Sequence, residues 1–148
     1  METSISPNAT PSLAAALRLF EAHARLQERF DRALGTVHGL SLKETLLLIY
    51  VAHAEGGRLS RIELAKRLAV SPSTVTRTTA PLEKRGLLGR EANKRDARYA
   101  YVVLTKAGRR AVAEAEATMT RSADAAFRDR WSPAEVKSLS SLLTWLVA

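Results

Sequence analysis

The sequence contains no cysteine. That excludes disulfides, thiolate nucleophiles and thiol redox sensing, and it fits a cytosolic, cytoplasmic protein. No apolar run approaches the ~20 residues that a membrane-spanning helix needs, so no membrane partner is expected. The opening residues, METSISPNATPS, have neither a basic stretch nor an apolar core behind it. They predict a frayed leader over residues 1–10 rather than a signal peptide. A phosphate-cradling glycine loop and a His/carboxylate cluster at ligand spacing are both missing, so no enzyme is expected. The three histidines, His23, His38 and His53, stand fifteen residues apart and match no metal spacing. Neither a metal nor any other cofactor is expected.

What is there is enough for one domain with a core, or a small domain with helical extensions. The chain has 148 residues, 46% of them apolar, which argues against disorder. The net charge of +8 is unevenly spread. Between Arg58 and Arg110 there are 14 Lys/Arg against 4 Asp/Glu; the remainder carries 9 against 11. A basic block confined to the middle third is the expected footprint of a polyanionic partner.

Helix signals recur along the chain. Thr10-Pro11 offers an N-cap and a proline at the first helical position. Leu13, Leu17, Phe20, Ala24, Phe30 and Leu34 then keep near-helical spacing, predicting one long helix that ends near Gly35 or Gly39. Ser41/Glu44, Ser60/Glu63 and Ser132/Glu135 each have the spacing of a capping box. The first opens a helix stopped by Gly56-Gly57, and the second a short helix from Arg61 to Leu68. Val70-Ser71-Pro72 gives a tight turn, a serine cap and a third helix from Pro72 to about Arg85, halted by Gly86. Pro81 lies inside it and predicts a kink or a looser last turn. Leu87–Ala92 and Arg98–Leu104 predict two strands joined by the loop Asn93–Ala97. Thr105 caps a helix to about Arg128. The last helix carries Val136, Leu139, Leu142, Leu143 and Leu146 on its apolar stripe.

Helix, short helix, tight turn, helix, hairpin is the order of a winged helix-turn-helix. Leu64, Ala65 and Leu68 are expected to bury against Val75 and Leu82. Ser73, Thr74, Thr76 and Arg77 then project from the first turns of the second helix. Small hydroxylated residues permit close approach to a major groove, and an arginine offers a bidentate contact to guanine. With no acid in the first turn, the positive end of the helix dipole favours a nearby phosphate. Ser71 shares that end, although capping alone accounts for it. The hairpin tip brings Lys94, Arg95 and Arg98 beside the same duplex, suited to phosphates or a narrow minor groove. An acid at that tip, Asp96, makes sense if it holds Arg98 or another arginine in place; the plain alternative is a turn residue.

The segments Glu63–Leu68, Ser71–Arg77 and Leu82–Leu87 fit several winged-helix families. Asp96-Ala-Arg98 followed by Leu104-Thr-Lys-Ala-Gly108 is more specific. With these the chain resembles the MarR family of bacterial transcription regulators over nearly its whole length. The resemblance implies a mainly α fold with a small β-hairpin wing, flanked by dimerisation helices. Residues 11–39 would form the N-terminal dimerisation helix, 40–104 the winged DNA-binding domain, and 105–148 the C-terminal dimerisation helices. It implies a homodimer on a pseudo-palindromic operator in double-stranded DNA, usually a repressor, often released by a small-molecule effector. By position, Ser73, Thr74, Thr76 and Arg77 would read the major groove, and Arg98, braced by Asp96, would enter the minor groove.

Dimerisation also follows from the residues themselves. The first and last helices carry apolar stripes that the small unit between them cannot cover. Two copies would cover them and set two reading helices about one DNA turn, roughly 34 Å, apart. For an effector the residues say less: Phe20, His23 and Tyr50 fit a pocket between helices and fit a core equally well. Two rival functions remain open, a winged-helix protein-interaction module and a sequence-indifferent architectural DNA binder.

Overall fold

The computed structural model describes residues 8–96 and 99–148. Most of the leader expected over 1–10, and Ala97 and Arg98 of the hairpin, lie outside these. Six helices and three short strands follow one another: α1 (Pro11–His38), α2 (Leu42–Ala52), β1 (Arg58–Ser60), α3 (Arg61–Leu68), α4 (Pro72–Lys84), β2 (Leu88–Glu91), β3 (Tyr101–Leu104), α5 (Lys106–Phe127) and α6 (Pro133–Val147). Among the described residues no helix is long and apolar enough to cross a membrane.

The caps form as their spacing predicts. Thr10 accepts from the Leu13 amide, Ser71 from Thr74 and Thr105 from Gly108. The three boxes close in both directions at Ser41/Glu44, Ser60/Glu63 and Ser132/Glu135. α1 runs through Gly35 and stops at Gly39, which adopts the left-handed conformation that a residue without Cβ enters freely.

The elements α2 to β3 form a compact head, and α1, α5 and α6 a stalk beside it. The core of the head joins Leu47, Leu48 and Val51 of α2, Leu64 of α3, Val75 and Leu82 of α4, and Val102 of β3. Leu68 is only half-buried at its margin. α5 contributes Val112 and, through Gly108, the closest approach: a Cβ there would lie 2.0 Å from the Leu87 carbonyl oxygen. Thr105 completes that corner. Its hydroxyl donates to the Gly86 carbonyl at 2.6 Å while its amide donates to the Leu87 carbonyl at 3.1 Å. Hence Leu-Thr-x-x-Gly is a packing motif, binding the base of the wing to the start of α5.

Three expectations change, while α4 keeps the length its sequence predicts. The sheet has three strands, ordered β1-β3-β2 and all antiparallel, so β1 joins the hairpin. Among the described residues β3 starts at Tyr101 rather than Arg98, because its two neighbours end opposite it, at Ser60 and Glu91. α2 ends at Ala52, before the glycines; a 3-10 turn over Glu55–Gly57 then leads into β1. α4 continues through Pro81 to Lys84. Proline's fixed φ is helical, and buried Thr79 and Leu82 on either side hold this last turn against the core.

Outside the head, α1 lies along α5. Few of their apolar side chains are covered, and among the described residues α6 buries none.

Candidate nucleic-acid interface

α4 divides cleanly into two faces. Val75, Thr79 and Leu82 are buried, one turn after another. Ser73, Thr76 and Arg77 stand exposed on the other face, with Thr74 half-buried between. The first turn contains no acid. Ser71 caps it and also bonds the hydroxyls of Ser73 and Thr74, each at 2.9 Å. Arg77 donates to the Thr74 hydroxyl at 3.2 Å, and Thr76 to the Pro72 carbonyl at 3.2 Å. The five predicted residues thus form one hydroxyl-rich patch at the positive end of a helix, with one guanidinium laid along it. Such a surface suits anionic phosphate and the mixed donors and acceptors of base edges.

The loop between β2 and β3 places Lys94 and Arg95 in solvent, with Asp96 half-buried. The Asn93 side chain accepts from the Arg95 amide at 2.9 Å, an Asx turn that tightens the tip. Tyr99 donates its amide to the Asp96 carbonyl at 3.1 Å. The residue singled out for the minor groove, Arg98, lies outside the described residues. A cavity of about 430 Å³ is lined by Arg61, Pro72 and Tyr99 together. It therefore sets the returning limb of the loop against the start of α4, so the helix patch and the wing adjoin.

Ion pairs brace this arrangement. Arg90 of β2 spans both carboxylate oxygens of Glu83 on α4, at 3.2 and 3.0 Å, and the hydrogen bonding to Glu83 holds its own proton more firmly than usual. Arg58 of β1 reaches Glu91 of β2 at 2.5 Å and covers the Tyr101 ring at 4.8 Å. Three of the 4 acids of the basic block are thereby engaged: Glu83 and Glu91 with arginines, and Glu63 in its capping box. Their charge is spent internally, while Arg77, Lys94 and Arg95 keep theirs toward solvent.

Sequence reasoning missed these braces and the ties that α1 and α5 make with each other and with the head. His53 at the end of α2 bonds Glu116 of α5 at 2.8 Å. His38 at the end of α1 bonds the buried Thr118 of α5 at 2.8 Å. Arg85 donates to the carbonyls of Gly39 and His38 at 2.8 and 3.0 Å. No local pattern announces contacts between residues so far apart in the chain.

The three pocket residues are not brought together. Phe20 and His23 are exposed on α1, whereas Tyr50 packs against the head's core. Among the described residues none of them lines a main cavity, and no group of three potential ligands is placed to hold a metal.

The sequence model of the MarR family matches residues 38–98, from the last residue of α1 to the loop before β3. No curated protein matches the sequence. Solved structures do. A MarR family transcriptional regulator from Streptomyces coelicolor, in complex with DNA, is 27% identical, with 93% of this chain and 90% of that one covered and a TM-score of 0.81. A mutant MarR from E. coli bound to operator DNA shares the fold at 18% identity, covering 92% and 95%, with a TM-score of 0.80. Bordetella bronchiseptica BpsR, whose DNA binding is regulated by 6-hydroxynicotinic acid, shares it at 23%, covering 93% and 96%, with a TM-score of 0.79.

Proposed function

We propose that two copies of this chain, a member of the MarR family of transcriptional regulators, bind the two halves of a pseudo-palindromic operator in the bacterial cytoplasm and repress transcription from it. One observation carries the reading: the exposed Ser73–Thr76–Arg77 face adjoins a basic loop, in a basic block where Glu63, Glu83 and Glu91 are already engaged. In this reading α4 enters the major groove. Ser73, Thr74 and Thr76 meet phosphates and base edges, and Arg77 takes guanine. Lys94 and Arg95 meet phosphates, and Ser71 serves chiefly as the cap. Arg98 enters the minor groove with Asp96 as its brace.

The second copy covers what one chain leaves bare. Phe20 on α1 is 73% exposed, and Leu142 and Trp145 on α6 are 69% and 83% exposed. A monomer leaves this surface in water; two copies bury it. A small-molecule effector would shift the operator-bound population by binding one arrangement of the dimer better than another. The Bordetella relative, regulated by an aromatic acid, supports that reading by analogy.

Titration of selected and random duplexes across salt concentrations tests this. Phosphate contact gives a log–log slope of about −0.9 per neutralised phosphate on any DNA. A regulator adds a preference of ~10³-fold or more for one site. Equal affinity for all sequences would make the protein an architectural binder, and no salt-dependent binding would make it a protein-interaction module.

A further inference from the structure

The last turn of α1 is a junction. On one side His38 fixes it to α5 through Thr118, whose hydroxyl Arg121 also contacts at 3.0 Å. On the other side Arg85, which caps the C-terminus of α4, spans the carbonyls of His38 and Gly39. The final carbonyls of a helix have no partner of their own, and they carry the negative end of its dipole. A guanidinium fork satisfies two of them at once with charge-assisted bonds, which an ammonium cannot do from one position. Among the described residues, Arg85 is the one side chain through which the end of α4 bonds α1. The other ties between the head and α1 or α5 run elsewhere: His53–Glu116 and Asp31 to the Leu42 amide reach α2, while Arg109 to the Leu104 carbonyl and Thr105 to the Gly86 and Leu87 carbonyls hold the base of the wing to the start of α5.

We propose that Arg85 is a positioning residue for operator choice: by clamping the trailing end of the reading helix to α1, it fixes the distance and tilt between the two reading helices of the dimer. The inference rests on the dimeric operator-binding reading above. α4 has 13 residues and so is about 20 Å long. Its leading end works in the groove; its trailing end sets its tilt. With the clamp in place, the pair accepts one half-site spacing. Released, each head turns on its remaining contacts and follows DNA of other spacings.

The test uses the full-length protein and a duplex selected by the wild type from a random library. Into its centre one base pair is inserted or deleted. Each change moves one half-site by about 3.4 Å and about 35°. Wild type should lose about 30-fold in affinity, and Arg85→Ala less than about fivefold, with its salt slope unchanged. Arg85→Lys keeps the charge but not the fork and should fall between them; it carries the comparison if the alanine variant fails to fold. Thermal melting is measured alongside. A lower melting temperature with the spacing dependence intact would make Arg85 merely structural and overturn the proposal. A uniform loss on every duplex, with the salt slope reduced by about one, would make Arg85 a phosphate contact and overturn it equally. A wild type that selects no two-part site would overturn the operator reading itself, and this inference with it.

Discussion

Leu64 on α3 and Leu142 on α6 are the same side chain in opposite circumstances: the first is wholly buried, the second 69% exposed. The contrast extends to the regions they represent. The head, from α2 to β3, closes its core within one chain, drawing on α5 for the final contacts. The stalk, α1 with α5 and α6, leaves Phe20, Leu142, Trp145 and Leu146 in solvent. The head is a finished domain and the stalk an unfinished one. If a second copy covers the stalk as proposed, stability of the head is a property of the single chain, while that of the stalk depends on protein concentration.

The largest effect should come from breaking the stalk. Leu142→Glu together with Leu146→Glu places two charges on the stripe that a second copy would cover. Sedimentation should show a monomer at micromolar concentration, where the proposed function expects wild type to be a dimer. Circular dichroism should keep the helical signal of the head. Affinity for the selected operator should fall by about 10²–10⁴-fold, the contribution of linking two weak heads. A double variant that stays dimeric would mean that α6 faces something other than a second copy.

The head should break differently. Leu64→Ala empties a fully buried site and should cost about 2–5 kcal/mol in urea unfolding. Gly108→Ala drives a methyl against the Leu87 carbonyl and should cost about 1–3 kcal/mol. Both losses should be equal at low and high protein concentration once the stalk carries the Leu142→Glu and Leu146→Glu changes. A loss that vanished in that background would show that the head leans on the dimer for its own stability.

Local chemistry was legible in the sequence, and long-range pairing was not. Each cap and box formed where its spacing put it, because an N-cap needs only residues within one turn. The faces of α4 followed from the spacing of Val75, Thr79 and Leu82. By contrast β1 has three residues, too few to show alternation, and it is a strand only because β3 lies beside it. The late start of β3 has that origin: it is set by where its partner strands end. Arg85 reads as one more cation in a basic block, and His38 and His53 as isolated residues. Their partners, at Gly39, Thr118 and Glu116, are fixed by how α1 and α5 cross, which no local pattern encodes.

Within the head, the helix patch and the wing should separate by the kind of loss they give. Arg77→Ala removes a contact proposed to read a base and should cost about 1–3 kcal/mol on the selected site alone. Lys94→Ala should weaken every duplex alike and reduce the salt slope by about one. Asp96→Asn preserves the turn-forming side chain and removes its charge. A loss of affinity in that variant supports the brace for Arg98; unchanged affinity reduces Asp96 to a turn residue. If Arg77 and Lys94 gave the same uniform loss, the patch would be reading phosphates and the site preference would have to arise elsewhere.

The smallest effect compares two capping boxes, one in each region. Glu63 opens α3 in the head and Glu135 opens α6 in the stalk. Both carboxyls are held below the usual carboxylate range, first by the backbone amide of their serine and then by its hydroxyl; Arg67 and Lys66 add to the effect at Glu63. A carboxyl whose folded pKa is depressed binds its proton more weakly in the native state than in the unfolded chain. Its contribution is therefore complete above the unfolded value of about 4.3 and is lost as pH falls through the lower folded value. Glu63→Gln cannot titrate there, so its urea midpoint should fall less steeply than that of wild type below about pH 4.5 and run parallel to it above. Glu135→Gln should show the same flattening in the dissociation of the dimer, with the head's unfolding unchanged. If both variants flattened the same transition, head and stalk would be a single cooperative unit, and the division drawn between Leu64 and Leu142 would be one of exposure alone.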